Sequence, residues 1–439
     1  MTLTRRKFAG LSALTLAGLS TKALFPDQIL AARFPASDKI NVGLIGCKNM
    51  GWSDLDDFLK IPEVDCIALC DIDPAFLNQR AADVEKLRGK KPQLFRDYRK
   101  MLELKELNVV IVGTPDHWHC LITVDACKAG KDVYVEKPLA NSIAECNIMT
   151  AVAKKYNRII QIGQQQRSGG EWQDAIALVK SGKLGKVSRI KCWANFTYAA
   201  VRPGNSTTVP EGVDFDFWLG PAPKRTFDNA RFHGSWRMFW DYGGGLMTDW
   251  GVHLLDMALW AKDVSTTPKK VFASGGKYLF PEYANETPDT MSVAFEYDDW
   301  TLNWEHNAGI ESGPWGRSYG VAFIGTNGTL VADRSNWVVY PEKTRDKLKM
   351  EEVPMRKSDG NSHLLHVQDF INCLKTRQSP VCNIETGKMA AVVAHLGNVA
   401  YRTGMILNYD WIKQDFGNNQ AANQFLQPKY REPWMFPKL

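Results

Sequence analysis

From Asp38 onward, short apolar runs alternate with stretches whose apolar residues recur every three or four positions. INVGLIG leads into MGWSDLDDFLK, and VDCIALCD leads into a helix opened by Asp73-Pro74, a capping residue followed by proline. The rhythm continues through NVVIVGT, HCLITVDACKAG, DVYVEK, NSIAECNIMTAVAKKY and RIIQIG. Residues 38–163 therefore read as an α/β Rossmann domain, a doubly wound parallel sheet with helices on both faces.

Beyond the helix EWQDAIALVKSG and the turn KLGK the period changes. VSRIKCWANF, DTMSVAFEY, WTLNWEHN, YGVAFIGT and GTLVAD alternate with period two, which predicts a mostly antiparallel open sheet with one face on a core. Residues 164–439 thus form a C-terminal α+β domain. HLLHVQDFINCLK and ETGKMAAVVAHLGNVAYRTG add helices, and NQFLQPKYREPWMFPKL an extended, aromatic tail.

Ahead of both domains, Thr4-Arg5-Arg6-Lys7-Phe8-Ala9 precedes the uncharged run GLSALTLAGLS, too short to span a bilayer. Residues 1–33 resemble a twin-arginine export signal, the other reading being a chance arginine pair before an amphipathic helix. Export would place the mature protein in the periplasm. The formal charge of +6 follows in part from this segment, since Arg5, Arg6, Lys7 and Lys22 stand there against Asp27. The remainder is nearly balanced, with no basic run interleaved with aromatics, which argues against nucleic acid as a partner. Nine cysteines without a CxxC pair do not make a disulfide framework or a metal site.

The first strand runs into Gly46-Cys47-Lys48-Asn49-Met50-Gly51, where a glycine-rich turn would set backbone N–H groups and a helix N-terminus against a pyrophosphate. Lys48 occupies the position where glycine normally allows close approach. Asp71 ends the second strand 20 residues after Gly51, placed to accept ribose hydroxyls, and its charge favours NAD over NADP. Asp73 adds to that repulsion or caps the next helix. Thr114, Pro115, His117 and His119 end the fourth strand at the same sheet edge; for the two histidines, capping or packing stands beside a role at the cofactor. Glu136-Lys137-Pro138 follows the fifth strand, so Lys137 leaves the edge where doubly wound folds bind ligands. In the second domain a glycine run, Gly243 to Gly245, precedes Asp249 and His253, four apart and so on one face of a helix. Arg167, Trp236, Arg237, Trp240 and His306 are further pocket candidates by position.

These motifs, in this order, resemble the glucose-fructose oxidoreductase, inositol dehydrogenase and rhizopine catabolism (Gfo/Idh/MocA) family over nearly the whole mature chain. The resemblance implies that His253 takes a proton from a sugar hydroxyl while hydride passes to the nicotinamide. Lys137 would stabilise the developing alkoxide, and Asp249 would orient the substrate and hold His253. It also implies a homodimer or homotetramer through the open sheet. Outside the cytoplasm free NAD is not supplied, so an exported member needs tightly bound NAD, reoxidised by an external electron acceptor or within its own reaction. Three readings follow: a sugar or glycoside dehydrogenase, for example one forming a 3-keto-sugar; a redox-neutral NAD-dependent glycosidase; and a non-catalytic sugar-binding protein.

Overall fold

The computed structural model describes residues 39–439. The arginine pair and the apolar run of residues 1–33 lie outside the described residues.

The first half of the chain is β1 (Ile40–Ile45), α1 (Asn49–Leu59), β2 (Val64–Cys70), α2 (Pro74–Arg88), β3 (Gln93–Phe95), α3 (Tyr98–Leu102), β4 (Val109–Val112), α4 (Asp116–Lys128), β5 (Asp132–Val135), α5 (Ile143–Lys155) and β6 (Ile160–Ile162). Its six strands pair parallel in the order β3-β2-β1-β4-β5-β6, the Rossmann order. β4 and β5 are buried at every position, because helices cover both faces. Where β1 turns into α1, three glycine backbones touch. Gly46 has φ +89°, a Cβ on Gly51 would stand 2.1 Å from the Gly46 carbonyl oxygen, and one on Gly113 would stand 2.4 Å from Gly51 Cα. No side chain fits between these segments, so the turn lies flat against the end of β4.

The second half comprises α6 (Gly170–Lys180), β7 (Val187–Asn195), α7 (Phe215–Leu219), α8 (Gly245–Asp249), α9 (Gly251–Ala261), β8 (Lys270–Gly276), β9 (Thr290–Glu296), β10 (Thr301–Asn307), β11 (Tyr319–Gly325), β12 (Gly328–Ala332) and β13 (Asn336–Pro341). A small hairpin, β14 (Lys343–Thr344) with β15 (Lys347–Leu348), precedes β16 (Arg356–Lys357), α10 (Ser362–Thr376), α11 (Ile384–Thr403) and α12 (Gln420–Asn423). Eight strands form one sheet, β16-β13-β12-β11-β7-β10-β9-β8, antiparallel except for the β7–β10 pair. α9, apolar nearly all round, lies against the inner face with Ile190, Leu302, Trp304 and Phe323.

The last helices return to the first sheet. His363 of α10 sits between two carboxylates of α1, 2.9 Å from Asp54 and 2.8 Å from Asp57, and despite its burial these partners push it up to about 10. The tail packs on α4 and α5: Tyr430 donates to Glu145 at 2.6 Å, and Trp434 stands edge-on to Trp118 with centroids 4.9 Å apart.

Gly51→Ala should destabilise the protein by about 2 kcal/mol or more, since its Cβ meets backbone that cannot move aside. Gly251→Ala, in helical backbone at the start of α9 and with no neighbour closer than 3.7 Å to the added Cβ, should change stability by less than about 0.5 kcal/mol. Urea unfolding of the two variants checks this; equal losses would contradict the packing described.

Candidate active site

The carboxyl ends of β1, β2, β4 and β5 open on one cleft. Gly46, Lys48, Asn49, Met50, Asp71, Thr114, Pro115, Glu136 and Lys137 line it. Lys48 has φ −95° and ψ 158°, extended backbone that any residue adopts, so a lysine at the middle of the turn is unstrained. Its ammonium lies 4.6 Å above the Phe76 ring. Asp71 accepts the N–H of Cys47 at 2.7 Å and of Asp73 at 2.9 Å, which fixes its carboxylate at the end of β2. Asp73 caps α2 through the Ala75 N–H at 2.9 Å. These features fit a dinucleotide: glycine backbones in contact, a helix start with no acidic residue in its first turn, and a fixed carboxylate for ribose hydroxyls.

At the β5 end of the cleft the two halves of the chain meet. The Lys137 ammonium is 2.5 Å from Asp249 Oδ1 and donates to the Asp249 carbonyl at 3.3 Å. Arg237 Nε lies 3.2 Å from the same Oδ1, and the Tyr198 hydroxyl donates to Oδ2 at 2.6 Å. Burial alone would raise the Asp249 pKa, but the two cations hold it well below the usual carboxylate range. His253 is buried, and burial together with the charges of Arg334, Lys137 and Arg237 keeps it well below its ordinary value, hence neutral at pH 7. Its Nδ1 has no hydrogen-bond partner among the described residues. Asp116 and Glu136, both buried, are each pushed up to about 8; burial dominates in both, and the Asp54 charge adds to the effect on Glu136. The site therefore combines fixed cations, a neutral base and two carboxyls that hold protons near neutral pH.

The structure departs from the sequence reading at several positions. Asp249 and His253 do not share one helix: α8 ends at Asp249 and α9 begins at Gly251. Asp249 does not hold His253, because Lys137, Arg237 and Tyr198 take up its oxygens. His117 and His119 belong to α4 and face backbone rather than the cleft. His117 Nε2 is 3.0 Å from the Trp218 carbonyl, and His119 lies between the carbonyls of Pro138 and Thr114 at 2.8 and 2.9 Å. Their α4 neighbours Asp116 and Trp118 line the cleft instead. Cys47 turns its thiol toward the Cys70 carbonyl, and Gly51 is closed off by Gly46 and Gly113.

Of the five further pocket candidates, Trp236 and Arg237 line the cleft, with Arg237 4.2 Å above the Trp236 ring. Arg167 instead forms a bidentate pair with buried Asp256, both bonds 2.7 Å. Trp240 stacks on Tyr401. His306 is enclosed between the Trp304 indole N–H and the Pro288 carbonyl. Two contributors were not singled out from sequence. Tyr198 follows β7, and Arg334 reaches in from the β12–β13 turn to lie 4.6 Å over Trp250, itself stacked on Phe196. Neither carries a local signal; only the pairing of β7 with β11, and of β11 with β12, brings them here.

A family model described as an oxidoreductase family with an NAD-binding Rossmann fold matches residues 40–164. Its companion, the C-terminal alpha/beta domain, matches residues 173–299 and 345–436. Two curated relatives, the alpha-N-acetylgalactosaminidase of Shewanella oneidensis and a glycosyl hydrolase family 109 protein of Shewanella sp. strain ANA-3, are each 26% identical over 157 residues. That stretch is 35% of this chain and 34% of theirs, so the chain spans about a third of the length of these relatives. Among solved structures, the WlbA dehydrogenase of Bordetella pertussis, crystallised with NADH and UDP-GlcNAcA, superposes with a TM-score of 0.63 at 16% identity, covering 85% of this chain and 99% of that one. The aldose-aldose oxidoreductase of Caulobacter crescentus gives 0.63 at 20%, covering 84% and 99%. A levoglucosan dehydrogenase crystallised with NADH and levoglucosan gives 0.62 at 17%, again covering 84% and 99%. At such identities the likeness is one of fold.

Asp116 has a measurable consequence. Its folded pKa is raised to about 8, above the ordinary value near 4, so between those limits the folded state binds more protons and stability falls as pH rises. Asp116→Asn should flatten this decline in the ligand-free protein, read as melting temperature from pH 5 to 8. An unchanged slope would contradict a neutral Asp116.

Proposed function

Because the chain belongs to the Gfo/Idh/MocA oxidoreductase family, we propose that it oxidises a hydroxyl of a sugar or glycoside to a ketone, with the 3-hydroxyl of a glucoside as the favoured target. The supporting observation is the cluster in which Lys137, Asp249, Arg237, Tyr198 and neutral His253 converge at the β5 end of the cleft. NAD held along Gly46, Asn49, Met50 and Asp71 would supply a two-electron hydride acceptor.

The protein's own residues then have separate tasks. His253 accepts the hydroxyl proton as the C–H bond gives up its hydride, so that one proton and one hydride, together two protons and two electrons, leave the alcohol and a carbonyl forms. The imidazolium so formed faces Lys137, Arg237 and Arg334, which favours onward loss of that proton. Lys137 stabilises the alkoxide as charge builds on oxygen, and Asp249 fixes the ammonium in place. Trp236, which lines the cleft, offers an aromatic wall for a sugar ring. The arginine pair near the N-terminus supports an exported, periplasmic setting, and with it a cofactor that stays bound.

The names of the curated relatives favour a second reading, a redox-neutral glycosidase. There the same proton and hydride steps would be transient: a 3-ketone acidifies the C2 proton, loss of that proton expels the C1 substituent, water adds at C1 with a proton returned to C2, and the hydride returns to C3. Release of the C1 substituent without lasting reduction of the cofactor marks that reaction, whereas a keto product marks the dehydrogenase.

Lys137→Ala should lower turnover of the best glycoside about a thousandfold or more while NAD content, read after denaturation, changes little. His253→Ala should lower it about a hundredfold to ten-thousandfold. Retained turnover in Lys137→Ala would contradict the assignment.

A further inference from the structure

Residues 196–244 leave β7 and return as α8, and between these points they cross the cofactor cleft. Their contacts with the first half of the chain concentrate where β2 ends. His233 Nε2 is 2.8 Å from Asp73 Oδ2. Arg96 Nη2 donates to the Ile72 carbonyl at 2.6 Å and to the Gly212 carbonyl at 2.7 Å, joining both sides with one guanidinium. Gly212 is pressed so closely on α2 that a Cβ there would come within 2.8 Å of Pro74 Cγ. Ile72 and Asp73 directly follow Asp71, the carboxylate placed for the ribose. On the underside, Phe217, Trp218, His233 and Trp236 form the opposite wall of the cleft that Asp71 and Lys48 line.

Two further contacts bear on His233. Phe76 stands edge-on to its ring at 5.3 Å, and the Lys48 ammonium lies 4.6 Å over the Phe76 ring. The backbone of His233 has φ +61°, a conformation most side chains avoid, so the chain holds this residue in a costly shape at the point where it meets Asp73.

We propose that residues 196–244 are a strap closed over the ribose end of bound NAD, latched by His233–Asp73 and Arg96–Gly212, and that this strap makes the cofactor a resident of the protein. The inference rests on the NAD-dependent reading above and adds the device that retains the cofactor. A dinucleotide seated on Asp71 lies between α2 and the strap. Its departure requires both latches to open, because the loop that holds the ribose is the loop the strap grips.

The test uses the full chain purified with its dinucleotide and measures exchange of the bound cofactor for isotopically heavy NAD, by gel filtration, denaturation and mass. His233→Asn suits the backbone, since asparagine tolerates positive φ, yet its side chain is too short to reach Asp73. Arg96→Ala opens the other latch independently, and melting curves at saturating NAD report whether each variant is folded. The strap predicts slow exchange in the unaltered protein, exchange about five- to tenfold faster in each single variant and faster still in the double variant. Equal exchange rates in folded variants and unaltered protein would overturn the strap. An unaltered protein that carries no dinucleotide and takes up none would overturn the NAD reading beneath it.

Discussion

A lysine ammonium held mostly out of water at the end of a parallel sheet is costly to desolvate unless a counter-charge lies nearby. Lys137 finds that charge 112 residues away, in Asp249, at 2.5 Å. Removing either partner of such a pair leaves the other uncompensated, which is far more costly than the pair's net contribution. The pair thus fixes where the two halves of the chain meet. β5 delivers the lysine, the α8–α9 junction delivers the aspartate, and Arg237 and Tyr198 share the aspartate's oxygens so that its orientation is set from three sides. Because those oxygens are occupied, His253 is left free of Asp249 and neutral, with an unprotonated ring nitrogen to receive a proton and surrounding cations that favour passing it on.

The two halves differ in how far sequence alone reveals them. β1, β2, β4, β5 and β6 are short apolar runs, and the turn from Gly46 to Gly51, Asp71 and Glu136-Lys137 sit at strand ends that those runs locate. That part of the site is encoded locally, by sterics at three glycines and by the edge of a parallel sheet. β3, only three residues long with its side chains part-exposed, leaves too little pattern to detect. In the second sheet β8 and β16 leave as little pattern: β8 is Phe-Ala-Ser-Gly-rich and half-exposed, and β16 has two residues.

Errors at the site have one origin. His117, His119, Arg167, Trp240 and His306 have the chemistry of site residues, but each is taken up by other groups: His119 and His306 by nearby ones, and the other three by partners far along the chain. Asp256 claims Arg167, the Trp218 carbonyl claims His117, and Tyr401 stacks on Trp240. Tyr198 and Arg334 are the reverse case, ordinary in sequence and brought to Asp249 and Trp250 by pairing within the second sheet. At Lys48, where glycine normally allows close approach, the backbone is extended and accepts lysine without strain.

The central claim is hydride transfer from a sugar carbon at the Lys137 site. Its most direct measurement is a single-turnover experiment: the purified protein with its bound dinucleotide is mixed with a glucoside carrying deuterium at C3, and the reduced-nicotinamide absorbance and the cofactor's mass are followed together. The account predicts that the band rises with one deuterium on the nicotinamide and a 3-keto-glucoside in solution. A cofactor that gains neither absorbance nor deuterium with any glycoside, in protein shown to hold NAD, would contradict it.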